Sequence, residues 1–223
     1  MRMLFALFAL FTLGAAKPID WTTTVTRTPA GSYVIGNPAA KVRLVEFMSY
    51  TCPHCAHFTA EGTAPLMRGY VARGTVAFEL RNAVRDPLDL AAAIATRCGA
   101  PARFLGNHEA VFAAQAQLFE GAAKFDPAPT AKDPVAGMKA LSRASGLTTI
   151  MAKRGVAPAA IDACYASKAA QAPVIAMTND AWNTRKIPGT PAFFIGGKLI
   201  EANSWETIEP LLRAALNMKP KAG

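Results

Sequence analysis

The sequence predicts an α/β fold, a central mixed sheet flanked by helices and interrupted by a large inserted lobe that is all helix. Three observations predict it. A buried strand, Lys41–Phe47, hands over to a helix through Thr51-Cys52-Pro53-His54-Cys55. From Pro87 onward, roughly a hundred residues read as one helix after another without a strand. Strand character then returns as a hairpin near residues 192–200 and is followed by a last helix. A β-α-β unit completed in this way by a β-β-α unit gives one sheet with helices on its faces.

Taken in order, Met3–Ala16 is an apolar run with Arg2 in front and Gly14-Ala15-Ala16 at its end. It is short for a bilayer span and suits an export signal cleaved after Ala16, an uncleaved N-terminal anchor being the alternative. Residues 17–31 form a polar lead-in rich in Thr and Pro. Ser32–Ile35 reads as a short strand closed by a Gly36-Asn37-Pro38 turn. The helix that begins at Cys52 extends to about Ala72, with kinks expected at Gly62 and Pro65. Thr75–Leu80 is a third strand. Helices are then expected over Asp89–Cys98, Pro101–Phe119, Pro134–Ser145, Ile150–Arg154, Pro158–Ser167 and Ala169–Lys186, with no fixed period that would indicate a solenoid. Ala192–Ile195 and Lys198–Ile200 pair across Gly196-Gly197, and Ser204 caps a helix from Trp205 to about Asn217. The expected organisation is a signal peptide over 1–16, the lead-in over 17–31, the sheet domain in two parts over 32–86 and 188–217, the helical insertion over 87–187, and a tail over 218–223.

Of 223 residues, 52% are hydrophobic and 17% charged, which describes a packed globular chain rather than a disordered one. The net charge of +9 comes from Lys and Arg spread singly along the chain. No basic run interleaved with aromatics occurs, so nucleic acid is excluded as the expected partner. Four cysteines in an exported chain fit an oxidising compartment.

The chemistry is concentrated at Cys52 and Cys55. Cys52 falls at the helix N-cap and Pro53 at the first helical position, where proline's missing N–H costs nothing. Unpaired N–H groups and the positive end of the helix dipole favour thiolate over thiol, and His54 can add a charge or a donor. In such Cys-X-X-Cys settings the thiol pKa falls from about 8.5 to as low as about 3.5. Five units correspond to roughly 7 kcal/mol in favour of the reduced, ionised form, which makes the disulfide an oxidant. Zinc binding by Cys52, Cys55 and a histidine lacks a second Cys/His pair at ligand spacing, so neither metal nor cofactor is expected. Haem attachment needs His directly after the second cysteine, where Ala56 stands. An inert structural bridge across two residues closes too small a loop to stabilise the chain much. Cys98 and Cys164 are left over. They are either a disulfide closing a loop worth about 4 kcal/mol or two buried free thiols.

Other conspicuous residues receive simpler readings. His57 lies on the exposed start of the helix, and His108 is expected at the surface. Met138, Met151 and Met177 are core or groove lining, Trp182 and Trp205 are core, and Arg81, Arg85 and Asp86 form a solvated turn.

On Val45-Glu46-Phe47…Cys52-Pro53-His54-Cys55 and Gly189-Thr190-Pro191-Ala192-Phe193-Phe194-Ile195, the chain resembles DsbA-like members of the thioredoxin superfamily, from about Ser32 to Leu216. The resemblance implies a thioredoxin fold and an exported thiol–disulfide oxidoreductase. It implies that Cys52 is the nucleophilic, solvent-facing cysteine, Cys55 its buried partner, and Pro53-His54 the dipeptide that tunes the redox potential. Pro191 matches a cis-proline facing the disulfide, and the Thr190 backbone would pair with an extended substrate segment. Glu46 matches a buried acid that moves protons around Cys55, the alternative being a charge at the strand end that reaches water. Arg97-Cys98 and Asp162-Ala163-Cys164 resemble the subgroup with a second disulfide.

The implied function is introduction of disulfides into unfolded or reduced protein substrates in the periplasm, with recycling by a quinone-linked membrane partner. Pro-His resembles the oxidising members, whereas a threonine before the cis-proline is frequent among isomerases and reductases, which would draw on a membrane electron donor. Those isomerases carry a dimerisation region, and the stretch between Ala16 and Ser32 is too short for one, so a monomeric oxidase is expected. A reductase or isomerase of the same fold is the alternative. A different class, a periplasmic metal-binding module using Cys52, Cys55 and His54, is the third reading.

Overall fold

Strand β3 is the spine of the molecule, and its alternation decides where the chemistry sits. The protein is described here by a computed structural model over residues 19–217; the expected export signal and the tail lie outside the described residues. The strands are β1 (Val25–Arg27), β2 (Tyr33–Ile35), β3 (Val42–Met48), β4 (Val76–Asn82), β5 (Ala192–Ile195) and β6 (Lys198–Ile200). They form one sheet in the order β1-β2-β4-β3-β5-β6, with β3 and β4 parallel and the other neighbours antiparallel. The parallel pair β3 and β4, joined through helix, is the β-α-β unit expected of a thioredoxin fold.

Successive side chains of β3 point to opposite faces. Leu44 and Met48 join the main core with Phe58, Phe78 and Leu80. Val45 and Phe47 join a second cluster with Phe194, Ala181 and Ile187 on the other face. Glu46 therefore points to the Leu44–Met48 side, where the active-site helix packs. Phe58 of that helix meets Phe193 edge-on, with ring centroids 4.6 Å apart.

The helices are α1 (Pro53–Glu61), α2 (Thr63–Leu66), α3 (Pro87–Thr96), α4 (Phe104–Ala113), α5 (Gln115–Ala122), α6 (Pro134–Ala144), α7 (Leu147–Lys153), α8 (Pro158–Ala166), α9 (Lys168–Asn179) and α10 (Trp205–Ala215). Helices α3 to α9 form the lobe between β4 and β5. The long helix expected from Cys52 is divided at Gly62, one of the two positions where a kink was expected, into α1 and α2. The Phe58 ring crosses so closely that a Cβ at Gly62 would meet it at 2.5 Å. The single helix expected over Pro101–Phe119 is instead split at Ala114, whose φ of −100° and ψ of 11° end α4 and start α5. The polar lead-in contains a strand, β1, because Val25 pairs with Ile35 and Arg27 with Tyr33.

Cys98, just after α3, is disulfide-bonded to Cys164 in α8 across a sequence separation of 66. Arg97 stacks on Tyr33 and donates to the carbonyl of Gly31, which ties the lobe to the lead-in. Trp182 is half-buried and donates its indole N–H to the Val84 carbonyl at 3.0 Å.

Candidate active site

The β3–α1 corner places the two cysteines differently although only Pro53 and His54 separate them. Cys52 is the N-cap residue, in extended conformation, with Pro53 at the first helical position. Cys55, one turn in, points into the core and is 0% exposed. Both are free thiols here. Pro53 and His54 between them are exposed.

Their acidities separate accordingly. The Cys52 thiol is lowered to about 5, foremost because Cys55 donates a hydrogen bond to its sulfur; partial burial opposes this, and Thr190 and the backbone N–H groups of Cys55 and His54 reinforce it. Cys55 is pushed well up by burial, by that same hydrogen bond to Cys52, and by the nearby charges of Glu46 and Cys52. One sulfur is therefore an anion at neutral pH and the other remains a thiol that stabilises it.

The cis peptide Thr190–Pro191 lies beside Cys52. In the neutral form Cys52 donates its S–H to the Thr190 carbonyl at 3.0 Å. In the ionised form that donor is gone, and the Thr190 hydroxyl, without another partner among the described residues, is the donor available to the thiolate. The expectation of a solvent-facing Cys52 is corrected here: it is only 2% exposed. A thiol that reaches inward to the Thr190 carbonyl turns its sulfur away from water.

Glu46 is 0% exposed, and neither carboxylate oxygen has a hydrogen-bond partner among the described residues. Burial raises its pKa well above the ordinary carboxylate value, and the Cys52 charge adds to this. The alternative of a charge reaching water at the strand end does not hold, because the alternation of β3 turns this residue inward beside Cys55.

Sequence reasoning misplaced or missed several residues around the corner. His108 is not at the surface but 1% exposed, enclosed by Tyr50, Phe104 and Phe112. Burial lowers its pKa to about 3, so it is neutral, and its Nδ1 lies 3.2 Å from the Tyr50 hydroxyl. Asp86 is not part of a solvated turn. It caps α3 by accepting from the Asp89 N–H at 2.9 Å, and it accepts the Thr51 hydroxyl as well. Asp86-Pro87 is an N-cap followed by a first-turn proline, a signal that could have located both. Arg81 pairs with the buried Glu79 and with Asp180. Asp89 accepts from the backbone of Tyr50 at 2.7 Å and of Arg85 at 3.0 Å. Gln115 donates to the carbonyls of Tyr50 and Cys52, and no spacing or motif marks it.

His57 stays on the surface in a 3.1 Å pair with Glu61. Met151 and Met177 are in the core, whereas Met138 lines a groove. That groove, about 840 Å³, is walled by Val84, Leu88, Leu90, Phe125, Met138 and Leu141, with Asp86 at its rim. The hydrogen bond from Thr51 to Asp86 connects the rim to the residue before Cys52. Among the described residues, no three His, Cys, Asp or Glu side chains gather as metal ligands.

The comparisons fit this geometry. A family model described as Thioredoxin matches residues 28–214. The crystal structure of a protein-disulfide isomerase from Novosphingobium aromaticivorans is 37% identical, with a TM-score of 0.76 over 83% of this chain and 97% of that one. Wolbachia pipientis alpha-DsbA1, 21% identical over 82% of this chain and 90% of its own, shares the fold with a TM-score of 0.64. A Rickettsia prowazekii protein that carries the provisional name protein-disulfide oxidoreductase is 27% identical over 206 residues, 92% of this chain and 69% of that protein.

Proposed function

The chain belongs to the thioredoxin family and is a DsbA-like protein-disulfide oxidoreductase, and from that premise we propose that it works in the oxidising direction on reduced protein chains. The observation that carries this reading is the split between an acidic Cys52 and a Cys55 that keeps its proton. A site that stabilises its reduced, ionised form gives up its disulfide readily.

In the proposed cycle a substrate thiolate attacks the Cys52 sulfur of the Cys52–Cys55 disulfide. A substrate–Cys52 bond forms, the old S–S bond breaks, and Cys55 leaves as a thiolate. Cys55 resists ionisation in its buried setting and takes a proton; Glu46, an acid biased towards its protonated form beside it, is the donor. A second substrate thiolate then attacks the substrate sulfur of the mixed disulfide, and Cys52 departs as the stabilised anion. The substrate has lost two electrons and gained a disulfide, and the protein is left as a dithiol.

Pro191 and Thr190 form the wall against which an extended substrate segment lies, with backbone pairing at Thr190. The exposed Pro53 and His54 tune the potential. The apolar groove beside Asp86 receives side chains of unfolded chains, so selectivity is broad. The protein acts as a monomer in the periplasm, and a quinone-linked membrane partner removes the two electrons.

An isomerase reading is favoured by two observations, the protein-disulfide isomerase name of the 37% identical neighbour and the threonine that precedes the cis-proline, Thr190. The two readings are separated by incubating the oxidised protein with a reduced dithiol peptide, and the reduced protein with a scrambled disulfide substrate. The oxidase reading predicts stoichiometric oxidation of the peptide. It fails if the peptide stays reduced while the scrambled substrate is rescued.

A further inference from the structure

The corner that carries Cys52 is four residues long, Ser49–Cys52, and the lobe holds several of its polar groups. The Tyr50 N–H goes to Asp89 and the Thr51 hydroxyl to Asp86, both at the start of α3. The carbonyls of Tyr50 and Cys52 converge on a single nitrogen, Nε2 of Gln115, at 2.9 and 3.1 Å. Gln115 is buried and is the first residue of α5, where the break at Ala114 sets it. Two carbonyl oxygens facing one side-chain amide fix its orientation, because only its NH₂ end can donate to both. The Cys52 carbonyl also takes the first helical bond, from the Ala56 N–H at 3.2 Å. The peptide plane after Cys52 is thus held from two directions.

That plane governs the sulfur's surroundings. Pro53 has no N–H to offer, so the first backbone donors that reach the sulfur are those of His54 and Cys55. Their aim depends on how the Cys52–Pro53 peptide is turned. We propose that Gln115 is a positioning residue for Cys52, its amide clamping the Tyr50 and Cys52 carbonyls so that the sulfur stays over the His54 and Cys55 N–H groups. The assignment rests on the dithiol chemistry proposed above and adds a residue from the lobe to it. Gln115 acts in two ways. It holds the corner rigid, as supporting hydrogen bonds do for a reactive group. It also satisfies two buried carbonyl oxygens of the corner with one amide. The lobe thereby sets the reactivity of the sulfur as well as the shape of the substrate surface.

The test uses the full chain with Gln115→Leu, which keeps the bulk and removes both donors, and the isosteric Gln115→Glu should the first variant not fold. Two readouts are taken: the ultraviolet titration of the Cys52 thiolate and the equilibrium constant with glutathione at neutral pH. Loss of the clamp raises the titration midpoint by about one unit, which is about tenfold in that constant, towards a less oxidising protein. A folded variant whose midpoint is unchanged or lowered, with only its unfolding temperature reduced, overturns the assignment and leaves Gln115 a structural residue. The titration reads the clamp whether or not the protein oxidises peptides, so failure of the functional reading and failure of this one give different results.

Discussion

Changing the pH should alter the slope of the reduction potential at the Cys52 midpoint, and the structure says where that lies. With Cys52 near 5 and Cys55 pushed well up, reduction at neutral pH takes up two electrons but only one proton. A tenfold change in equilibrium constant is 29.6 mV for two electrons, so the potential falls by about 30 mV per pH unit above pH 5. Below pH 5 both thiols are protonated and the fall doubles to about 59 mV per unit. The absolute value follows from the same acidity. At pH 7, lowering a thiol from the ordinary 9.0 to about 5 stabilises the dithiol form by roughly 2.7 kcal/mol, or about 60 mV. Relative to a thioredoxin-type site with a thiol near 7 and a potential of about −270 mV, the gain is roughly 50 mV, which puts this protein near −220 mV. Equilibration with glutathione buffers between pH 4 and pH 8, read by mass-tagging of free thiols, measures both quantities. A potential at or below about −270 mV, or a uniform slope of about 59 mV across the range, would refute the reasoning.

Three further expectations follow from individual groups. Because the Cys52 charge raises the Glu46 pKa, the reduced protein binds extra proton at Glu46, and its potential–pH slope should exceed about 30 mV per unit over that interval; Glu46→Gln should restore the single-proton slope, and an unchanged curve would remove Glu46 from proton handling. Replacing both Cys98 and Cys164 by Ala should lower unfolding stability by about 4 kcal/mol in denaturant melts while leaving the potential of the Cys52–Cys55 pair unchanged; a shifted potential would couple the two sites. His108 has its folded pKa depressed to about 3, so the unfolded chain binds its proton first and stability falls as pH drops from about 6.5 to about 3. Asp89, raised to about 7 by burial, has the opposite sign and adds stability as pH drops from about 7 to about 4. His108→Phe should therefore gain more stability in mild acid relative to pH 7 than the parent does; parallel curves for the two proteins would contradict the buried, neutral state.

The strand, helix and hairpin order was legible because β3, β5 and α10 each carry strong local signals: an apolar run, a Gly-Gly turn and a serine cap. Cys52 and Cys55 were legible for a related reason, since their chemistry is tied to local position at a helix start, whereas Pro191 came only with the family resemblance, because Gly189-Thr190-Pro191 taken alone reads as an ordinary turn before a strand. His108 was misread because Asn107 and Glu109 beside it are polar, although Phe104 and Phe112 lie one turn away on the same face of α4; only Tyr50, which closes the enclosure, comes from a separate segment. Gln115 was invisible because its role depends on a break in the helix at Ala114, which has no glycine or proline to announce it. The covered sulfur of Cys52 was missed because exposure is decided by a loop well over a hundred residues away, and helix capping alone predicts only the charge.

The most direct test is the ultraviolet titration of the Cys52 thiolate in the reduced protein, with Cys52→Ser as the blank. A thiolate held by the start of α1, by Cys55 and by Thr190 titrates with a midpoint of about 5. A midpoint near 9.0, that of an ordinary thiol, would mean that the corner does nothing for the sulfur.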